Sequence, residues 1–252
     1  MEPELPRPGL HGSALVGLLA QLALMDGPAT APHTVQGLGR WLGWEDAISL
    51  AAALQTPDAA SLGLTSPARA RKLALQLQRD LLRLRTDLGR ALAQRDSYAS
   101  GTGFAPYRQR YGALQQAMAQ GIGPLRAQAR VAVALVSPQM NRLAAMDAVV
   151  GQALGGREQA LLALLPTLLE KHFLRLRQAH EAALADPAAT AAASTATSTA
   201  TPGSGGWLDT FEQDMQRMLL AELDLRLLPL QGLLDTLQTL NTTHTPNTQA
   251  DS

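Results

Sequence analysis

The sequence predicts an all-α protein: a helical bundle with a long antiparallel helical hairpin and a C-terminal helix that follows a flexible linker. Three observations carry this. Apolar residues make up 46% of the chain, yet most are alanine and leucine, and aromatic residues are only 4%. Alanine, leucine, glutamine and arginine form helices readily, whereas strands favour β-branched and aromatic side chains. Leucines also recur at steps of three and four, which lines them up on one face of a helix rather than alternating across a strand. A chain of 252 residues can bury about 70% of its unfolded surface, enough for a sizeable core.

Residues 1–12 contain Pro3, Pro6 and Pro8 and read as an extended arm ahead of a helical domain over 13–185. Ser13 can cap a first helix that ends at Asp26-Gly27-Pro28, with leucines at 15, 18, 19 and 22 on one face. Its apolar run SALVGLLAQLALM resembles a signal-peptide core, but Glu2 and Glu4 precede it against Arg7, the wrong charge for an export signal. It is therefore read as a mature amphipathic helix. No apolar run reaches the roughly 18–20 residues of a membrane span, so a cytoplasmic location is expected.

A second helical region over 35–55 places Trp41, Trp44 and Ile48 on one face. Ser66-Pro67 then starts a long helix to Arg95, because serine caps and proline suits the first helical turn. Its leucines at 73, 77, 81, 84, 88 and 92 form a single seam. After a turn at 97–103, FAPYRQRY opens another helix. Apolar residues at 104, 107, 111, 114, 118, 122, 125, 129, 132 and 136 share one stripe, with Arg108 and Arg110 off it. Phe104, Tyr107 and Tyr111 are thus read as structural anchors of a hairpin with 67–95, as Trp41 and Trp44 are for their own helix. Gly123-Pro124 is expected to bend the helix.

Ser137-Pro138 repeats the start signal for a helix to Leu154, closed by Gly155-Gly156. The next helix, 157–185, carries Leu162, Leu165, Leu169, Phe173 and Leu176 on one face, with a kink expected at Pro166. His180 continues that face as a core or interface histidine. Residues 186–206, DPAATAAASTATSTATPGSGG, have one charge and no large apolar side chain, and read as a disordered linker. The segment 207–240 is a leucine-rich helix that packs on the bundle or on a partner, and 241–252 reads as a disordered tail.

Motifs that would carry chemistry are absent. The chain has no cysteine, hence no disulfide, thiol nucleophile or cysteine metal site. The five histidines have no partners at helical metal-site spacing. Glu170 and His172, two residues apart, point to different sides of a helix. The glycine-rich pieces match no phosphate or dinucleotide fingerprint, and GxSxG does not occur. Trp41 and Trp44 beside Glu45 and Asp46 offer a sugar or ligand site as the alternative to a buried tryptophan face. Neither a catalytic residue, a metal ligand nor a cofactor is expected, and the chain reads as a non-enzyme.

Charge is balanced at 21 basic against 21 acidic residues, but not locally. Between Arg69 and Arg95 stand eight Lys or Arg and two Asp, a net charge of +6. At about 100° per residue, Lys72, Arg79, Arg83 and Arg90 fall within about 40° of one another and away from the leucine seam. This candidate interaction face suits phosphates or an acidic protein surface; its plain reading is a solvated helix side. Residues 207–235 carry six acids and two arginines, so the last helix is a third candidate to lie along the basic one.

The stretches LHGSALVGLLAQL, RWLGWEDAISLAAAL, FAPYRQRY with GIGPLRAQAR, and WLDTFEQDMQRMLLAELDLRLLPLQGLL together resemble an uncharacterised bacterial family of all-helical proteins, catalogued as a domain of unknown function. The resemblance spans most of 9–240 outside the linker. That family has no established activity, so it implies no site residue. Its genes stand beside those of membrane proteins with long coiled coils and of peptidoglycan-binding envelope proteins, which implies a component of an envelope-spanning assembly. The expected function is accordingly a helical interaction or adaptor protein with a protein partner, a homo-oligomer being a further form. Nucleic-acid binding through the basic face is the alternative. Loss of 207–252 is expected to leave a helical core while removing the partner.

Overall fold

The computed structural model describes residues 14–22, 44–55, 67–94, 103–185 and 206–243. Helices α1 (Ala14–Gln21), α2 (Trp44–Leu54), α3 (Pro67–Ala93), α4 (Ala105–Ala134), α5 (Pro138–Leu162), α6 (Leu165–Ala185) and α7 (Gly206–Thr243) account for almost all of them, and no strand occurs among the described residues. The chain is all-α. The arm, most of the linker, the turn with Tyr98, Trp41, the side chain of Trp44 and the tail beyond Thr243 lie outside the described residues.

The helices divide between two compact units. Unit 1 takes in α1, the last residues of α3, the start of α4 to Gln115, Leu162, α6, and α7 to Leu225. Unit 2 takes in α2, α3 to Ala91, α4 from Gln116, α5 to Leu161, and α7 from Arg226.

In unit 1, Leu15 and Leu19 of α1 are buried, and the Arg175 guanidinium of α6 donates to the Leu22 carbonyl at 2.6 Å, holding the end of α1. The centre is aromatic. Phe211 of α7 is fully buried and has the Tyr107 and Phe173 rings at 5.1 Å and the Phe104 ring at 6.1 Å. Trp207 meets Phe173 edge-on at 5.2 Å and lies 6.2 Å from His180. These separations fall in the range where edge-on and tilted aromatic pairs attract. Phe104, Tyr107 and Tyr111 are all buried, and the Phe104 and Tyr107 rings also meet Phe173 of α6 and Phe211 of α7. α3 offers leucines and no ring, so the rings gather where Phe173 and Phe211 can stack, while Arg110 donates to the Leu92 carbonyl at the end of α3 at 3.5 Å.

In unit 2, α3 and α4 run antiparallel. Leu84 approaches Gly121 so closely that a Cβ at Gly121 would lie 2.5 Å from a Leu84 methyl carbon. On α4 the buried positions Met118, Ile122, Leu125, Ala129 and Ala132 continue the predicted stripe. On α3, Leu77 and Leu88 are buried on the predicted seam. The helix α4 runs unbroken through Pro124. Asp147 of α5 takes the Arg126 guanidinium at 2.6 and 3.0 Å and lies 3.1 Å from Arg130 Nε, tying α4 to α5.

Two boundaries differ from the sequence reading. Gly155-Gly156 does not close α5, which continues to Leu162. A helical Gly costs about 1 kcal/mol against Ala, which weakens a helix without ending it. Pro166 does not kink a helix but stands in the first turn of α6, after a break at 163–164. Proline has no N–H to give to the Leu162 carbonyl four residues back. That carbonyl instead accepts Gln115 Nε2 at 3.0 Å. At Ser137 the predicted cap is present: its Oγ accepts the Met140 N–H at 3.2 Å. Ile48 of α2 is 54% exposed, so that position of the proposed Trp41–Trp44–Ile48 face is not buried.

Candidate functional site

Two polar clusters and one surface were candidates for function, and each is built differently. The first polar cluster surrounds Glu222 of α7, which has 0% exposure. A buried carboxylate is costly unless donors surround it. Here the Tyr111 hydroxyl donates to Oε2 at 2.8 Å, and Gln115 Nε2 lies 3.0 and 3.1 Å from the two oxygens. Gln115 has two amide protons, so it can serve both Glu222 and the Leu162 carbonyl. One turn earlier on α4, Tyr107 donates to Glu212 at 3.2 Å. The arrangement fixes α4, the end of α5 and α7 in register.

The second cluster is His172 with Asp214, both buried and 2.9 Å apart through Nε2 and Oδ2. Arg175 lies 3.4 Å from the other ring nitrogen, and Arg217 lies 3.3 Å from Asp214 Oδ1. A carboxylate can only accept, so the His172 Nε2–H donates to Asp214. Both ring nitrogens are occupied. The His172 ring sits 6.1 Å from Phe211, inside the aromatic core. Glu170 points elsewhere, as its spacing predicts, and pairs with Arg108; the Arg108 guanidinium also lies 5.7 Å over the Phe104 ring. Among the described residues, no group of three or more His, Asp or Glu is placed to hold a metal ion.

The surface lies on α3. Lys72, Arg79, Arg83 and Arg90 are all exposed, on the side of the helix opposite its buried seam. Arg83 lies 3.8 Å from Asp80 and Arg90 lies 3.2 Å from Asp87. These are exposed pairs within one helix and contribute only about 0–1 kcal/mol each, so they leave the charge available. Beside the cations, Leu75 and Leu82 are exposed at 48% and 64%. The sequence reading missed these leucines because they fall off the seam, on a side of the helix that otherwise carries charge.

On the other side of the cation row, α3 and α4 part to form an open apolar groove of about 370 Å³. Leu73, Gln76, Leu77 and Asp80 form one wall, and Ala127, Gln128, Val131 and Ala132 form the other. Val131 is 62% exposed although it lies in a helix with a well-filled core side.

Three acids of α7 have partners within unit 1. Glu212, Asp214 and Glu222 are engaged with Tyr107, with His172 and Arg217, and with Tyr111 and Gln115. Asp214 and Glu222 are buried there, and Glu212 is half-buried. No described helix is long and apolar enough to cross a membrane.

No curated protein and no solved structure gave a significant match to the chain. The profile of one protein family does match, over residues 1–239, and the chain belongs to that family, described as "Protein of unknown function (DUF3348)".

Proposed function

We propose that this is a non-enzymatic interaction protein, a helical adaptor that presents α3 and the adjoining part of α4 to a protein partner. The carrying observation is the composition of the exposed side of α3, where Lys72, Arg79, Arg83 and Arg90 stand beside the exposed Leu75 and Leu82. Exposed leucines occur on other helices too, but here two stand beside four cations on one helix. Such a mixture is what the rim and centre of a protein interface offer. The polar clusters support the same reading, because Glu222 and His172 spend their hydrogen bonds on joining helices rather than on an open site.

The sequence resemblance extends the reading to a bacterial, cytoplasmic component of a membrane or envelope-spanning assembly. The docking element differs from the one expected: α7, whose stripe is buried in this chain, gives way to α3. Nucleic-acid binding through the same cations is the second reading, favoured by the net charge of +6 over 69–95. Against it, the rings of Phe104, Tyr107, Phe173 and Phe211 are buried in unit 1 and provide no stacking platform.

Affinity capture from native cells in mild detergent, split into nuclease-treated and untreated halves, separates the two. The same membrane proteins recovered from both halves support the adaptor. Recovery that requires intact nucleic acid overturns it. In that case replacing Lys72, Arg79, Arg83 and Arg90 with Gln abolishes DNA retention and flattens its salt dependence.

A further inference from the structure

The groove in unit 2 names the partner's chemistry, granted that the chain is an interaction protein. Its long axis follows α3 from Leu73 to Asp80, about two helical turns or 11 Å. Its floor and walls are apolar except for Gln76, Gln128 and Asp80. The α4 wall carries no charge. On the α3 side, Lys72 and Arg83 project about 20–40° around the helix from Gln76 and so border the rim. Asp80, the only acid of the wall, has Arg83 at 3.8 Å.

We infer that this groove receives an amphipathic helix of a partner protein, its apolar edge entering between Leu73, Leu77 and Val131 and its acidic flank meeting Lys72 and Arg83. Three features favour this occupant. A concavity two turns long matches side chains spaced three and four apart on a helix. A membrane surface or a duplex offers no ridge to fill it. Two copies of the chain meeting groove to groove would bring the same basic helix face to face, and like charges repel across an interface. A partner with acids beside its apolar edge removes that repulsion and supplies the countercharge.

The test uses the full-length chain and two fluorescein-labelled helical peptides of about five turns each. Both have leucines at steps of three and four in an alanine and glutamine background. One carries glutamates along one flank, and the other carries lysines at the same positions. Anisotropy titration should give saturable binding of the acidic peptide alone. Val131→Asp and the pair Lys72→Glu with Arg83→Glu should each weaken it at least about tenfold. All three substitutions are at exposed positions, and thermal melts confirm that the variants fold.

Equal binding of both peptides, or acidic-peptide binding indifferent to Val131→Asp, overturns the proposal. So does absence of peptide binding, or a groove engaged instead by anionic vesicles, by DNA, or by a second copy in a dimer that Val131→Asp dissociates in sedimentation. If the peptides fail while nuclease-resistant capture of membrane proteins succeeds, the adaptor reading stands and only this occupant falls.

Discussion

Tyr111 shows how little of the site chemistry a helical pattern reveals. Its place on the α4 stripe marks it as buried, and it has 0% exposure. Nothing in the spacing says that its hydroxyl meets a carboxylate 111 residues away. A stripe position reports which face a residue is on, whereas a hydrogen-bond partner depends on the helix packed opposite. The same holds for His172 and Asp214, and for Asp147 between Arg126 and Arg130. Tyr111→Phe removes one donor from a buried carboxylate and should cost about 1–3 kcal/mol, read as a lower urea midpoint at unchanged m-value. Phe211 packs against four other rings. Phe211→Ala should cost about 3–5 kcal/mol because the cavity cannot collapse onto rigid neighbours.

The existence of the elements was legible because each long helix repeats its apolar side chains over several turns. On α7, Phe211, Met215, Leu219, Leu223, Leu227, Leu230, Leu234 and Leu237 stand three or four apart and are all buried, with Met218 and Leu233 beside them. Their ends were less legible. Gly155-Gly156 reads as a stop, but a Cβ at Gly156 would meet nothing within 4 Å, and the helix passes through it. Gly156→Ala should therefore stabilise the protein by about 1 kcal/mol, measured as a raised Tm without a change in helix content. Pro166 sets the true break, and Gln115 compensates for it from another helix. Sequence-local signals hold no record of such help. At Gly121 the opposite test applies. Ala there would press only the tip of Leu84, so Gly121→Ala should shift stability by no more than about 1 kcal/mol, the helix gain offsetting the contact.

For the whole molecule, the all-α class followed from composition, but the partition of the helices did not. Periodicity gave each helix a buried face without saying which helices share a core. Segments of α4, α6 and α7 build unit 1 together, so the last helix belongs to the interior rather than to a detachable arm. Deleting 206–243 should abolish cooperative unfolding and yield a dye-binding, aggregating chain, observed by calorimetry and fluorescence. This reverses the outcome expected from the sequence, where a leucine-rich helix after a low-complexity linker looked separable. The groove of unit 2 was equally illegible, since pairing α3 with α4 as a hairpin does not say where the two helices part.

The bond between Tyr111 and Glu222 also has a consequence for biosynthesis. Their separation of 111 residues corresponds to roughly 5–20 s of ribosomal elongation at about 5–20 residues per second. Throughout that interval Tyr111 lacks its carboxylate, and for most of it the neighbouring rings lack Phe211. The rings of α4 can meet Phe173 earlier, but they gain Phe211 only once α7 is being made.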